Sequence, residues 1–153
     1  MRKTILPALR SEIDAEGEWL QLDTASVEVT SEEPNHPIEH ALTCRNAGGW
    51  RAATAGEQLI RLAFDEPVDV RRIQLRFVET NVERTQEFSL RWYDAKGSCS
   101  SIVRQQWNFS PAGSTTEVED FHIVLDGVAK IELAIQPGSQ PGAVATLDCL
   151  RIA

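Results

Sequence analysis

Apolar residues recur at every second position through much of this chain. In Gln58–Phe64, Ile60, Leu62 and Phe64 share one parity while Arg61 takes the other. In Arg72–Val78, Ile73, Leu75 and Phe77 alternate with Arg72, Gln74 and Arg76, and Glu87–Tyr93 places Phe88, Leu90 and Trp92 on one side. Such alternation predicts half-buried antiparallel strands, because successive side chains of a strand point to opposite faces. Thr24–Thr30, with Val27 and Val29, reads as an earlier strand. Ile102–Phe109, Glu119–Leu125, Lys130–Gln136 and Thr146–Ile152 read as later ones.

Turn chemistry separates these segments. Ser31 to Pro37 is polar with two prolines, and Pro37 is suited to open a single helical turn over Ile38–Leu42. Asp65-Glu66-Pro67, Asp94 to Ser98, Pro111 to Ser114, Asp126-Gly127 and Pro137 to Gly142 read as turns or loops. About eight short strands with turns between them predict an all-β domain, an antiparallel β-sandwich of jelly-roll form. The domain is expected over residues 18–153, with 1–17 as an N-terminal extension.

Composition narrows this picture in three places. The formal charge of −8 repels phosphate backbones and anionic lipid, which disfavours nucleic acid as a partner. No apolar run approaches the ~20 residues of a membrane span. The first ten residues start like a secretion signal, but Pro7 breaks the apolar stretch and Arg10 ends it, so a cytoplasmic protein is expected. Three cysteines, Cys44, Cys99 and Cys149, form an odd set without metal-site spacing and read as reduced, buried thiols.

The order of pieces from Trp50 to Gly97 resembles the galactose-binding-like, or discoidin (coagulation factor 5/8 type C), domain superfamily. The likeness rests on Gly49-Trp50-Arg51-Ala52-Ala53, the strand Gln58–Phe64, the turn Asp65-Glu66-Pro67, and the aromatic strand from Arg84 through Tyr93 to the turn at Gly97. Ala145 to Ile152 is similar to its final strand. A shorter segment, Trp50-Arg51-Ala52-Ala53-Thr54-Ala55-Gly56-Glu57, resembles part of a DNA strand-break repair scaffold with the same fold. The resemblance implies a structural calcium ion near the first long loop and the last strand. Here Thr43 and Cys149 stand where it expects acidic ligands, with Asn46 and Asp148 nearby. Calcium requires six to eight oxygens, so no cofactor is expected.

The resemblance also implies a sugar site built from an arginine, an asparagine, a carboxylate or histidine, and an aromatic. Arg84, Asn81 and Glu79 of the loop 79–86 fit the polar part, and His36 and Arg51 join them as candidates. Trp107, flanked by Arg104, Gln105, Gln106 and Asn108, is the candidate solvent-facing aromatic, whereas Trp50 and Trp92 read as structural. His36 and His40 stand four apart but Pro37 separates them, and no third ligand follows, so no metal site is expected. Neither a nucleophile elbow, a phosphate loop nor a dinucleotide glycine pattern is present. The expectation is a non-catalytic binding module for a small carbohydrate, with a protein partner as the alternative and strand-break binding a weaker one.

Overall fold

The computed structural model describes residues 19–45 and 48–153. After a 3₁₀ turn at Leu22–Thr24 come β1 (Ser26–Val29), the short helix α1 (Ile38–Thr43), β2 (Trp50–Arg51) and β3 (Gln58–Val78). Then follow β4 (Arg84–Asp94), β5 (Cys99–Phe109), β6 (Thr116–Gln136), β7 (Thr146–Leu147) and β8 (Cys149–Ile152). All pairings are antiparallel. The expected residues 1–17 lie outside the described residues, as does Asn46.

Two strands carry the architecture. The first half of β3 pairs with β1 and with the second half of β6, which passes on to β4 and then β5. The second half of β3 pairs with the first half of β6 and, on its other side, with β8. β3 and β6 therefore cross from one layer of the sandwich to the other while staying paired. Phe77 of one layer meets Phe88 of the other, ring centroids 5.1 Å apart. Ile60, Leu62, Ile73, Leu75, Leu90, Ile131, Leu133 and Ile135 fill the space between.

This crossing corrects the sequence reading at two turns. Asp65-Glu66-Pro67 and Asp126-Gly127 do not separate strands; each lies inside a strand of 21 residues. The register slips between Ala63 and Val68, then again by Val70 and Arg72. Extra residues on one strand of a pair bend it sharply, so the corner is made by bulges and not by reversals. Pro67 is exposed there, where a missing N–H is harmless.

The cysteine reading is corrected too. Cys44 and Cys149 form a disulfide across 105 residues of chain, and Cys99 is an exposed free thiol. Cys44 caps the end of α1 in the left-handed region (φ 56°), which ends the helix against β8. Sequence spacing carried no trace of this contact, because helix and final strand meet only after the sandwich closes. The same bond settles the fit of the calcium ion implied by the resemblance. Cys149 is cross-linked, Asp148 accepts from Arg76 Nε at 2.6 Å, and Thr43 Oγ1 donates to Glu39 O. These residues do not fit such an ion.

Candidate functional site

Four separated segments, around residues 31–37, 48–51, 79–86 and 137–146, meet at one end of the sandwich, and Arg84 ties the last two together. Its parity with Phe88 and Leu90 turns it inward, where it is 1% exposed. Arg84 Nε donates to Glu79 Oε1 (2.8 Å), Nη1 to Gln86 Oε1 (3.0 Å) and to the carbonyl of Pro137 (3.2 Å), and Nη2 to Thr146 Oγ1 (3.3 Å). Its guanidinium lies 4.9 Å from the centre of the Phe109 ring. Thr146 passes the contact on by donating to Val78 O.

Glu79 completes the frame. Its second oxygen accepts from the N–H groups of Asn81 and Val82, which fixes the turn into β4. Burial works against its charge, but Arg84 and these N–H groups outweigh burial and hold its carboxyl below the usual range. Burial likewise lowers the pKa of Arg84, and Glu79 opposes that. A buried charge survives only with such pairing.

On this frame stand the accessible groups. Arg51 faces Thr146 in the β2–β7 pair, and its Nε donates to Glu33 Oε1 at 3.1 Å, the two side chains 33% and 40% exposed. The N–H of Arg51 donates to the carbonyl of His36, a half-buried residue whose ring Nδ1 is buried without a hydrogen-bond partner among the described residues. Gly48, at φ 89°, makes room: a Cβ there would lie 3.0 Å from the His36 ring. Gly49 is as constrained, since its Cβ would lie 2.3 Å from Leu147 O. Asn81, whose N–H is held by Glu79, is exposed.

The structure thus brings His36, Arg51, Asn81, Glu79 and Arg84 to one end, with Glu79 and Arg84 inside it. Trp107 is placed differently. It pairs with Gln86 across β4 and β5, and directly opposed residues share a face, so it turns inward and packs half-buried against the core. The expected solvent-facing tryptophan is corrected on that ground. Trp50 is fully buried, its indole N–H donating to Ser31 O at 3.0 Å. Among the described residues, no three His, Cys, Asp or Glu side chains cluster as a metal site.

Sequence reasoning missed Glu33, Gln86, Thr146 and Glu117. Gln86 was legible, since it shares the inward parity of Phe88. Glu117 is fully buried opposite Phe77, and neither of its oxygens has a hydrogen-bond partner among the described residues. Burial and the neighbouring Glu119 carboxyl push its pKa up to about 8, against the pull of Gln86 and Arg84. Glu117 therefore holds a proton at neutral pH. The folded state binds that proton more tightly than the unfolded chain, so stability should fall as pH rises from about 4.5 to about 8 and level off above. Glu117→Gln should flatten this slope, leaving the variant the more stable of the two at pH 9. Urea melts across pH 5 to 9 read this out; parallel profiles for both proteins would refute it.

No family model and no curated protein matches the chain. Solved structures do. The family 32 carbohydrate-binding module of NanJ from C. perfringens, in complex with galactose, superposes with a TM-score of 0.61 at 15% identity, over 88% of this chain and 96% of that one. A pectin-binding carbohydrate-binding module gives 0.58 at 16% identity, over 83% and 88%. Reduced XRCC1 bound to the catalytic domain of DNA polymerase β gives 0.63 at 13% identity, over 88% and 97%. The chain shares the β-sandwich fold of these structures.

Proposed function

We propose that this domain is a non-catalytic carbohydrate-binding module whose site is the loop end built on Arg84. The observation that carries this reading is the buried Arg84–Glu79 ion pair, which fixes the turn presenting Asn81 and, through Thr146, reaches the strand pair that carries Arg51. Sugar hydroxyls need donors and acceptors held in place before binding, because ordering loops at the moment of binding costs affinity. The Arg84–Glu79 pair supplies that order, and the rim supplies the donors and acceptors. Galactose and pectin, bound by two of the structural neighbours, indicate the ligands to try first.

Titration calorimetry with galactose and galactose-terminated disaccharides should show binding that Arg51→Ala weakens about tenfold, the worth of one charge-assisted hydrogen bond. The melting temperature should stay near that of the parent, because Arg51 is partly exposed and its ion pair is worth about 1 kcal/mol or less. A glycan array without hits, or unchanged affinity in the variant, would remove the reading. A protein partner comes second. β5 is a sheet edge, but its outward Arg104, Gln106 and Asn108 are polar and suit an edge kept unpaired. The Cys44–Cys149 cross-link supports work in an oxidising compartment, in place of the cytoplasm expected from the N-terminal residues.

A further inference from the structure

The first half of β6, residues 116–125, is a sheet edge. It pairs with the second half of β3 on one side, and among the described residues no strand pairs with its other side. Residues 116–122 stay in register with β3 without a break, and β6 gains its extra residue beyond His122. An open edge offers unpaired N–H and C=O groups to any strand that meets it, so edges are usually short or wholly polar outside. This one runs long, and its outward side chains from 118 on are Val118, Asp120, His122 and Val124. Val118 and Val124, 57% and 72% exposed, are the large apolar side chains left in the open among the described residues.

The order of these four residues is complementary to itself. Laid antiparallel to a copy of itself about Phe121, the strand sets Val118 against the second copy's Val124 and Asp120 against the second copy's His122. Each contact then occurs twice, as a two-fold interface requires. Opposed residues of an antiparallel pair share a face and touch, which favours apolar with apolar and acid with base. Moving the centre by one residue either way sets Asp120 against Asp120, or His122 against His122, so the pattern selects one register. Asp120 is already oriented: it accepts two bonds of 2.8 and 2.6 Å from Arg72 and lies 3.8 Å from His122 of its own chain. On the inward side, Phe121, Ile123 and Leu125 pack against the core but stay half-exposed along the same edge.

We propose that this edge is an interaction surface for a second copy of the chain, joined as an antiparallel two-fold dimer centred on Phe121. The pairing continues the layer β8–β3–β6 of one copy into that of the other. Glu79 N–H donates to Thr115 O, so β6 starts beside the loop end. Antiparallel pairing therefore points the two Arg84 ends in opposite directions. A contact along one edge strand is small, in the class below about 1,200 Å² that gives weak, reversible association.

Sedimentation equilibrium of the whole domain tests this, from about 10 μM to about 1 mM, the span in which weak dimers form. Cys99→Ser serves as the parent, so that the exposed thiol forms no cross-links. The parent should pass from monomer to dimer across this range. Val118→Lys and Val124→Glu should each weaken the dimer about tenfold, since each replaces a contact made twice. The double variant Val118→Lys/Val124→Glu opposes the new charges across the two-fold and should restore the dimer. All three should melt with the parent, because both side chains are exposed. A monomer at every concentration, a dimer untouched by either single variant, or a double variant no tighter than the singles would overturn the proposal. Association is measured without sugar, so its outcome stands apart from the carbohydrate-binding reading.

Discussion

Arg84→Met is expected to destabilise the domain by about 3–5 kcal/mol, the usual cost of removing one partner from a buried ion pair. Arg84 has almost no exposed surface, and it satisfies Glu79, Gln86, Pro137 O and Thr146 together. Its loss leaves the Glu79 carboxylate buried at 5% exposure without its cation, and takes the donor from Gln86 Oε1, Pro137 O and Thr146 Oγ1. A domain of this size shifts its melting temperature by about 2–4 °C per kcal/mol, so a fall on the order of 10 °C should follow. The double variant Glu79→Leu/Arg84→Met removes the stranded charge as well and should recover much of the loss. Urea titration of the four proteins of this cycle measures the coupling. Additive single effects would show that the pair does not act as a unit. The loop end should also loosen, so galactoside affinity should fall in Arg84→Met through disorder of the rim and not through a lost sugar contact.

The strands were legible because their signal is local. Ile60/Leu62, Ile73/Leu75/Phe77 and Phe88/Leu90 alternate in sequence, and each set is buried in the fold. Continuing the same parity two steps back from Phe88 would have placed Gln86 and Arg84 inside, but their polarity made the loop reading more natural. The polar pattern of 79–86 thus read as open loop two side chains, Arg84 and Gln86, that the fold buries. Trp107 failed for the related reason that polar neighbours on an edge strand say little about which face its ring takes. What stayed hidden depends on contacts far apart in the chain. The corners at Pro67 and Gly127 look like reversals until β3 and β6 are known to be partners on both sides of the bend. Arg51 meets Thr146, and through it Arg84, only because β2 and β7 pair across the closed sandwich.

Reduction of the Cys44–Cys149 bond is expected to be the second large effect. A cross-link restricts the unfolded chain most when the loop it closes is long, and this one spans 105 residues. A loop of that length corresponds to about 4–5 kcal/mol in the chain-entropy picture, and measured values commonly fall a little below it. The bond also fastens α1 to β8, elements that otherwise meet through the packing of Ile38, Ala41 and Leu150. Dithiothreitol should therefore lower the melting temperature on the order of 10 °C. Cys44→Ser and Cys149→Ser should each reproduce that fall and respond no further to reductant, while Cys99→Ser, at an exposed thiol, should melt with the parent. Calcium and chelators should leave all four proteins unmoved, because the residues beside the bond are engaged with Arg76 and Glu39. Thiol titration under denaturing conditions should count one reactive cysteine in the oxidised protein and three after reduction. Three before reduction, or a calcium-dependent rise in melting temperature, would contradict a sandwich whose last strand is fastened by sulfur.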